Sequence, residues 1–261
     1  MNIIPYENEK PLTRSEYDKI RETALEGISR TRREHILSVE REAVMMSETL
    51  FPKLGIPEEY IYDIKAAAIL HDIMKESDYD SQIRVCEDGG AVLSEADRAS
   101  LTVLHSFAGA YAAREKYGIG SRVFDAIYRH TVGDANMSVF DKIVFLADYT
   151  EPTRSYEGCR LLHEYFVSHL DSVKTGEDAW RTHFAFWTNA LQGVPSRLSK
   201  CLRKTDTAYT RKPSKRHRRY SLSIRATQGF RSLPNDSETS ESNAAATAVL
   251  KGTYRDEYEY K

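Results

Sequence analysis

The sequence predicts an all-α body over residues 1–199, a helical bundle, followed by a basic and mostly disordered tail over residues 200–261. Three observations lead there. Serine- or threonine-led capping boxes recur along the first 199 residues. No stretch alternates apolar and polar residues with enough β-branched enrichment to read as a sheet. From about Lys200 the large apolar side chains give way to Arg, Lys, Ser, Thr, Asn and Ala, which cannot offset the entropy of ordering a chain.

Taken in order, Thr13-x-x-Glu16 opens a helix expected near 15–50. Gly55 stops it, and Ile56-Pro57 restarts the chain into a helix near 57–76, because proline suits a first helical turn. Ser94-x-x-Asp97 opens a helix near 94–117, which ends in Gly118–Gly120. Ser121 is expected to cap the next, near 121–131, and Ser138-x-x-Asp141 opens another near 138–150. Two more are expected near 157–173 and 177–191.

With 41% hydrophobic and 29% charged residues in 261, the chain can bury a sizeable core. The net charge of −2 is a cancellation between a body over 1–199 at −9, a segment over 200–231 at +10 and an end at −3. The start, Met1 to Glu7, lacks a basic stretch followed by an apolar one, so no secretory signal is read. Runs such as Ala66–Leu70 are far short of the roughly 20 residues that span a bilayer. Cys86, Cys159 and Cys201 are odd in number and have no Cys-x-x-Cys spacing, which excludes a disulfide framework and a zinc ribbon. A soluble, cytoplasmic protein with no membrane partner is the expectation.

Four of the eight histidines stand in core-like surroundings. His71-Asp72 follows Ala66–Leu70, where an ionised carboxylate is expensive unless it is paired or bound to a cation. Lys75 follows His71 by four residues, so His71, Asp72 and Lys75 are expected on one face of one helix. His105 precedes the small residues Ala108, Gly109 and Ala110, which permit close helix approach, and His130 ends an amphipathic segment. Asp148 closes the apolar run Ile143–Ala147. With His35, these residues lie on several helices, as in bundles that assemble dinuclear sites from inward-facing side chains. Imidazole and carboxylate suit borderline to hard divalent ions. His163, His169 and His183 sit in polar, irregular patterns and are expected to be solvated.

The order His…His-Asp…His…His…Asp resembles the HD-domain metallohydrolases. Longer words resemble the YqeK family of symmetrical diadenosine tetraphosphate hydrolases within them. They are Arg32-x-x-His35, the run from Ala68 to Lys75, His105 to Ala110, His130 to Gly133, and Met137 to Arg154 ending Ala-Asp-Tyr-Thr-Glu-Pro-Thr-Arg. The resemblance covers roughly residues 20–190. It implies an HD-domain bundle around a dinuclear centre, with iron as the native pair and manganese or another divalent ion as substitutes. His35, His71, Asp72 and Asp148 would hold one ion, and Asp72 would bridge to a second completed by His105 and His130. Asp72 and Lys75 are the catalytic residues it implies. Arg32, Lys75, His105, His130 and Arg154 would contact a dinucleoside polyphosphate. Met74 replaces a small residue and is expected to narrow the phosphate pocket.

Other readings keep the scaffold and change the substrate to a nucleoside monophosphate, (p)ppGpp or a cyclic dinucleotide, since fold does not fix substrate. Another reading gives the tail a role of its own. Lys215-Arg216-His217-Arg218-Arg219-Tyr220 would attract RNA or ribosomal phosphates nonspecifically. A homodimer is compatible with the sequence.

Overall fold

Local capping decides where five of the described α-helices begin. The computed structural model describes residues 4–134, 136–171 and 173, and every regular element among them is helical. Thr13 with Glu16 opens α1 (Arg14–Ala24), Ser94 with Asp97 opens α5 (Glu95–Ala99), and Ser138 with Asp141 opens α8 (Val139–Thr150), each through a complete capping box. The remaining helices are α2 (Arg30–Leu54), α3 (Ile61–Leu70), α4 (Tyr79–Asp88), α6 (Leu101–Tyr117), α7 (Ser121–Arg129) and α9 (Glu157–Leu170). Gly55 ends α2 at φ 68°, and Gly118 ends α6 at φ 64°, the left-handed conformation in which a side chain would be strained.

Several boundaries differ from the sequence expectation. The helix expected over 15–50 is two, because Gly27 turns the chain at φ 74° and Ser29 caps a new start. The helix over 94–117 breaks at Ser100, which has extended-side angles of φ −107° and ψ 80°. Ser121 is not a cap. It is the first residue of α7, and its N–H and hydroxyl both donate to the Glu9 carboxylate, at 2.7 and 2.5 Å. Helix α4 was not expected. Asp78 opens it by accepting from the Ser81 N–H, and Gln82 and Cys86 form its narrow buried face. The helix expected over 57–76 is a 3-10 turn at Glu58–Tyr60 followed by α3, and it stops at Leu70. The expected helix over 177–191, the 1–199/200–261 boundary and the basic tail lie outside the described residues.

Two helices form the centre. On α2, Ile36, Val39, Ala43, Met46 and Leu50 recur at helical spacing and are wholly buried. Each large side chain among them contributes about 1.5–3 kcal/mol by leaving water. α3 is buried nearly all round at Ala66, Ala67, Ala68, Ile69 and Leu70, and it contacts α1, α2, α6, α7 and α8. Its alanines allow that crowding. Gly109 on α6 allows more, since a Cβ there would sit 3.4 Å from the His71 carbonyl oxygen. α6 therefore passes close over the end of α3, which places His105 against Asp72.

The N-terminal arm is tied in by the Glu9 carboxylate on Ser121 and by one buried cation. Arg122 donates to Asp63 Oδ2 at 2.8 Å and to the carbonyls of Pro5, Tyr6 and Glu9 at 3.0, 2.7 and 2.7 Å. No helix among the described residues is long and apolar enough to cross a membrane. Cys86 and Cys159 are free and buried.

Candidate metal centre

The site sits where α3 ends. The His71 Nδ1 lies 2.7 Å from the Ala68 carbonyl, the acceptor that the Asp72 N–H would use to extend the helix. Beyond it the chain runs in three-residue turns, from Ile73 N–H to Leu70, Lys75 N–H to Asp72 and Ser77 N–H to Met74. His71, Asp72 and Lys75 consequently do not share one helical face as expected. They fan out from successive turns into a common space.

α7 ends in the same manner, with the His130 Nδ1 2.7 Å from the Ile127 carbonyl. A carbonyl only accepts, so Nδ1 carries the hydrogen in both rings and the Nε2 lone pairs face the site. His35 enters from α2 with Nδ1 3.0 Å from Glu151 Oε1, His105 from α6, and Asp148 from the last turn of α8.

Asp72 is 4% exposed and has two faces. Its Oδ2 lies 3.7 Å from His35 Nε2 and 3.6 Å from His71 Nε2, and its Oδ1 lies 3.1 Å from His105 Nε2 and 3.7 Å from His130 Nε2. Asp148 Oδ1 closes the first side, 3.1 Å from His35 Nε2 and 3.8 Å from His71 Nε2. Three overlapping groups each bring their ligand atoms within 4.8 Å of one another: His35, His71 and Asp72; His71, His130 and Asp148; Asp72, His105 and His130.

The buried Nε2 of His71 has no hydrogen-bond partner, and that of His35 has no well-aligned one although Asp148 Oδ1 lies 3.1 Å away, an arrangement that a cation among these atoms would satisfy. The donor set, imidazoles and carboxylates without thiolate, fits a divalent metal. All six sequence-selected ligands, His35, His71, Asp72, His105, His130 and Asp148, are brought together.

The electrostatics describe the same demand. Burial pushes His71 and His105 down to about 4, so both rings are neutral near pH 7. Burial also pushes His35 down, but Asp148 and Glu151 outweigh it and raise the ring to about 9. Positive charge is therefore wanted between His35 and Asp148. For Asp72 and Asp148, burial is overcome by the surrounding imidazoles, and for Asp148 also by Arg154, so both carboxyls stay well below the usual range.

The cations expected at the phosphates lie at the rim. Lys75 Nζ is 3.1 Å from His105 Nε2, and burial lowers its affinity for its proton. Arg32 donates to Asp72 Oδ2 at 2.5 Å, and Arg154 to Asp148 Oδ1 at 2.6 Å and to the Asp148 carbonyl at 3.0 Å. Both guanidiniums thus rest on the proposed ligand carboxylates. Met74 packs against Cys86, Leu104 and Phe107 in a separate apolar cluster.

His163 also departs from expectation. Rather than being solvated, its Nδ1 lies 2.7 Å from Glu42 Oε1, which is buried and also takes the Thr150 hydroxyl at 3.2 Å. With Glu151, Arg154 and Arg160, His163 lines a cavity of about 470 Å³ beside the centre. The signal missed was on α2, where Glu42 lies seven residues after His35 and so on the same face. His169 is exposed and stacks on Tyr165. His183 lies outside the described residues.

Residues 32–153 match the family model of the HD domain. The chain is 30% identical over 150 residues to the symmetrical bis(5'-nucleosyl)-tetraphosphatase of Staphylococcus aureus, covering 54% of this chain and 69% of that protein. It is 41% identical over 95 residues to the protein of that name in Halalkalibacterium halodurans, covering 35% of this chain and 49% of the other, about half its length. Among solved structures, a predicted HD superfamily hydrolase involved in NAD metabolism from Clostridium acetobutylicum superposes with a TM-score of 0.52 at 25% identity. That match covers 66% of this chain and 96% of the other.

Proposed function

The chain belongs to the YqeK-like family of HD-domain proteins, and on that premise we propose that it hydrolyses diadenosine tetraphosphate symmetrically to two ADP. The observation that carries the reading is Asp72, whose two oxygens face two sets of imidazoles at 3.1–3.7 Å. In the proposal His35, His71, Asp72 and Asp148 would hold one divalent ion, and Asp72, His105 and His130 would hold a second. Iron is the proposed native pair, with manganese as a substitute. Such a pair, when bound, supplies Lewis-acid activation of water and neutralises charge on the attacked phosphoryl group.

The chain's own residues do the rest. Asp72 stays ionised and sets the spacing of the two halves. His71 and His130, held by main-chain carbonyls, present fixed lone pairs without reorganisation. Lys75 offers a compact cation to a phosphate oxygen. Arg32 and Arg154, at the rim, exchange a ligand carboxylate for paired contacts to the polyphosphate. The nucleotide class rests on the relatives' names together with this cationic rim.

The test is product analysis. Metal-reconstituted protein incubated with diadenosine tetraphosphate should yield ADP alone. AMP with ATP would contradict symmetrical cleavage, and no turnover with iron or manganese would remove the proposal.

A further inference from the structure

We propose that Glu151 is the positioning residue of the metal centre: it fixes the His35 ring from behind and anchors the turn that holds Asp148. One side of the site thereby depends on a single buried carboxylate. The inference rests on the metal-centre reading above and concerns how the two halves are built.

The four imidazoles are not held alike. His71 and His130 are set by carbonyls of their own helices, at 2.7 Å each. His105 has Lys75 Nζ 3.3 Å from its Nδ1. Only His35, among these four, has a carboxylate behind it, with Glu151 Oε1 3.0 Å from Nδ1 across 116 residues of sequence. An imidazole whose Nδ1–H donates to a carboxylate has its tautomer and ring angle fixed and its Nε2 made more basic.

Glu151 is itself over-determined. It is 1% exposed and caps α8, with its own N–H donating to Ala147 at 3.0 Å. Its Oε1 also takes the Thr153 hydroxyl at 2.6 Å, and its Oε2 takes the Thr153 N–H at 2.7 Å. The Arg154 N–H returns to the Glu151 carbonyl at 3.0 Å, and the Arg154 guanidinium then grips Asp148. The turn Glu151-Pro152-Thr153-Arg154 therefore holds a ligand from α2 and a ligand from α8 together. No hydrogen bond among the described residues joins this turn to His105 or His130; Ile127 sets the His130 ring, and Lys75 Nζ lies beside the His105 ring at 3.1–3.3 Å.

The experiment counts metal per chain in the full-length protein reconstituted with manganese, measures affinity by titration, and follows folding by circular dichroism. The wild type should hold about two ions, and Glu151→Met, which keeps length but removes the acceptor, about one. Its affinity for the lost ion should fall roughly 10–100-fold. Glu151→Gln, which keeps an acceptor for Nδ1–H, should recover most of that affinity. Two ions held by Glu151→Met with wild-type affinity, or equal loss in the Met and Gln variants, would overturn the proposal. If Glu151→Met does not fold, Thr153→Val decides, since it removes only the hydroxyl steadying Oε1. Weaker metal binding at an unchanged metal-free melting temperature supports the role, and unchanged binding overturns it. A wild type that holds no metal would instead remove the functional reading beneath it.

Discussion

His71 and His130 are mirror uses of one device: each ends its helix, each places Nδ1 2.7 Å from the carbonyl three residues earlier, and each turns Nε2 toward Asp72. Two such helix ends, from α3 and α7, face each other with ring centroids 4.9 Å apart. The carboxylate between them is the shared element, so its loss should be felt on both sides. Asp72→Asn should lower metal content from about two to below one per chain. Turnover should fall by more than the roughly 100-fold that outer partners cost. Elemental analysis and a nucleotide assay check this, and full metal content in the variant would show that Asp72 does not bridge.

The approach of α6 to the end of α3 makes a second prediction. A Cβ on Gly109 would lie 3.4 Å from the His71 carbonyl oxygen and 3.6 Å from Ile127 Cγ2. That is tight contact for one methyl and no room for a branch. Gly109→Ala should therefore be near neutral, the contact offsetting up to about 1 kcal/mol gained in helix propensity. Gly109→Val should cost about 1–3 kcal/mol through overpacking. It should also weaken metal binding, because His105 lies one turn earlier on the same helix. Denaturant unfolding and metal titration of the two variants give the comparison. A Val variant as stable as the wild type would mean that α6 is free to move away.

The His/Asp cluster was legible because its chemistry is written in residue types that a core otherwise avoids: His71-Asp72 after five apolar residues, and Asp148 after another five. The complete capping boxes at Thr13, Ser94 and Ser138 were legible too, since each is a contact within four residues. What escaped depends on contacts across the chain or on side chains competing with the backbone. The stop after Leu70 follows from the His71 ring taking a helical carbonyl, which no spacing rule announces. The capping of α7 by Glu9 spans 112 residues. Helix α4 buries only Gln82 and Cys86, too narrow a stripe for periodicity to detect. The His163–Glu42 pair joins polar residues 121 positions apart, so each alone reads as solvated.

Cys86 supplies a pH-dependent prediction away from the His/Asp cluster. Burial among Leu104, Phe107 and Ala108 pushes its thiol up from 9 to about 11. The folded chain then holds that proton where the unfolded chain has released it. The associated stability is complete below pH 9 and is lost as pH rises toward 11. At pH 8 the thiol is protonated as well as covered, so iodoacetamide should leave Cys86 unmodified in native protein and alkylate it in denaturant, read by peptide mass mapping. Rapid native alkylation at pH 8 would show that the α4–α6 contact opens.

The N-terminal arm gives the last. Arg122 and Asp63 are 2% and 3% exposed, and burial raises the Asp63 carboxyl while Arg122 and the Leu12 N–H oppose the rise. Removing one partner leaves the other charge buried, so Arg122→Ala should cost about 3–5 kcal/mol. Replacing both by apolar residues, Arg122→Met with Asp63→Leu, removes the stranded charge and should recover part of that loss. It cannot recover the arm. The carbonyls of Pro5, Tyr6 and Glu9 lose their shared donor in both variants. Limited proteolysis should then cut within residues 4–12 in the single and the double variant alike, while urea unfolding separates the two. Arg122 touches none of the six proposed metal ligands, so metal content per folded chain should stay at the wild-type value. A single variant as stable as the wild type, or an arm still protected, would show that something other than Arg122 holds it down.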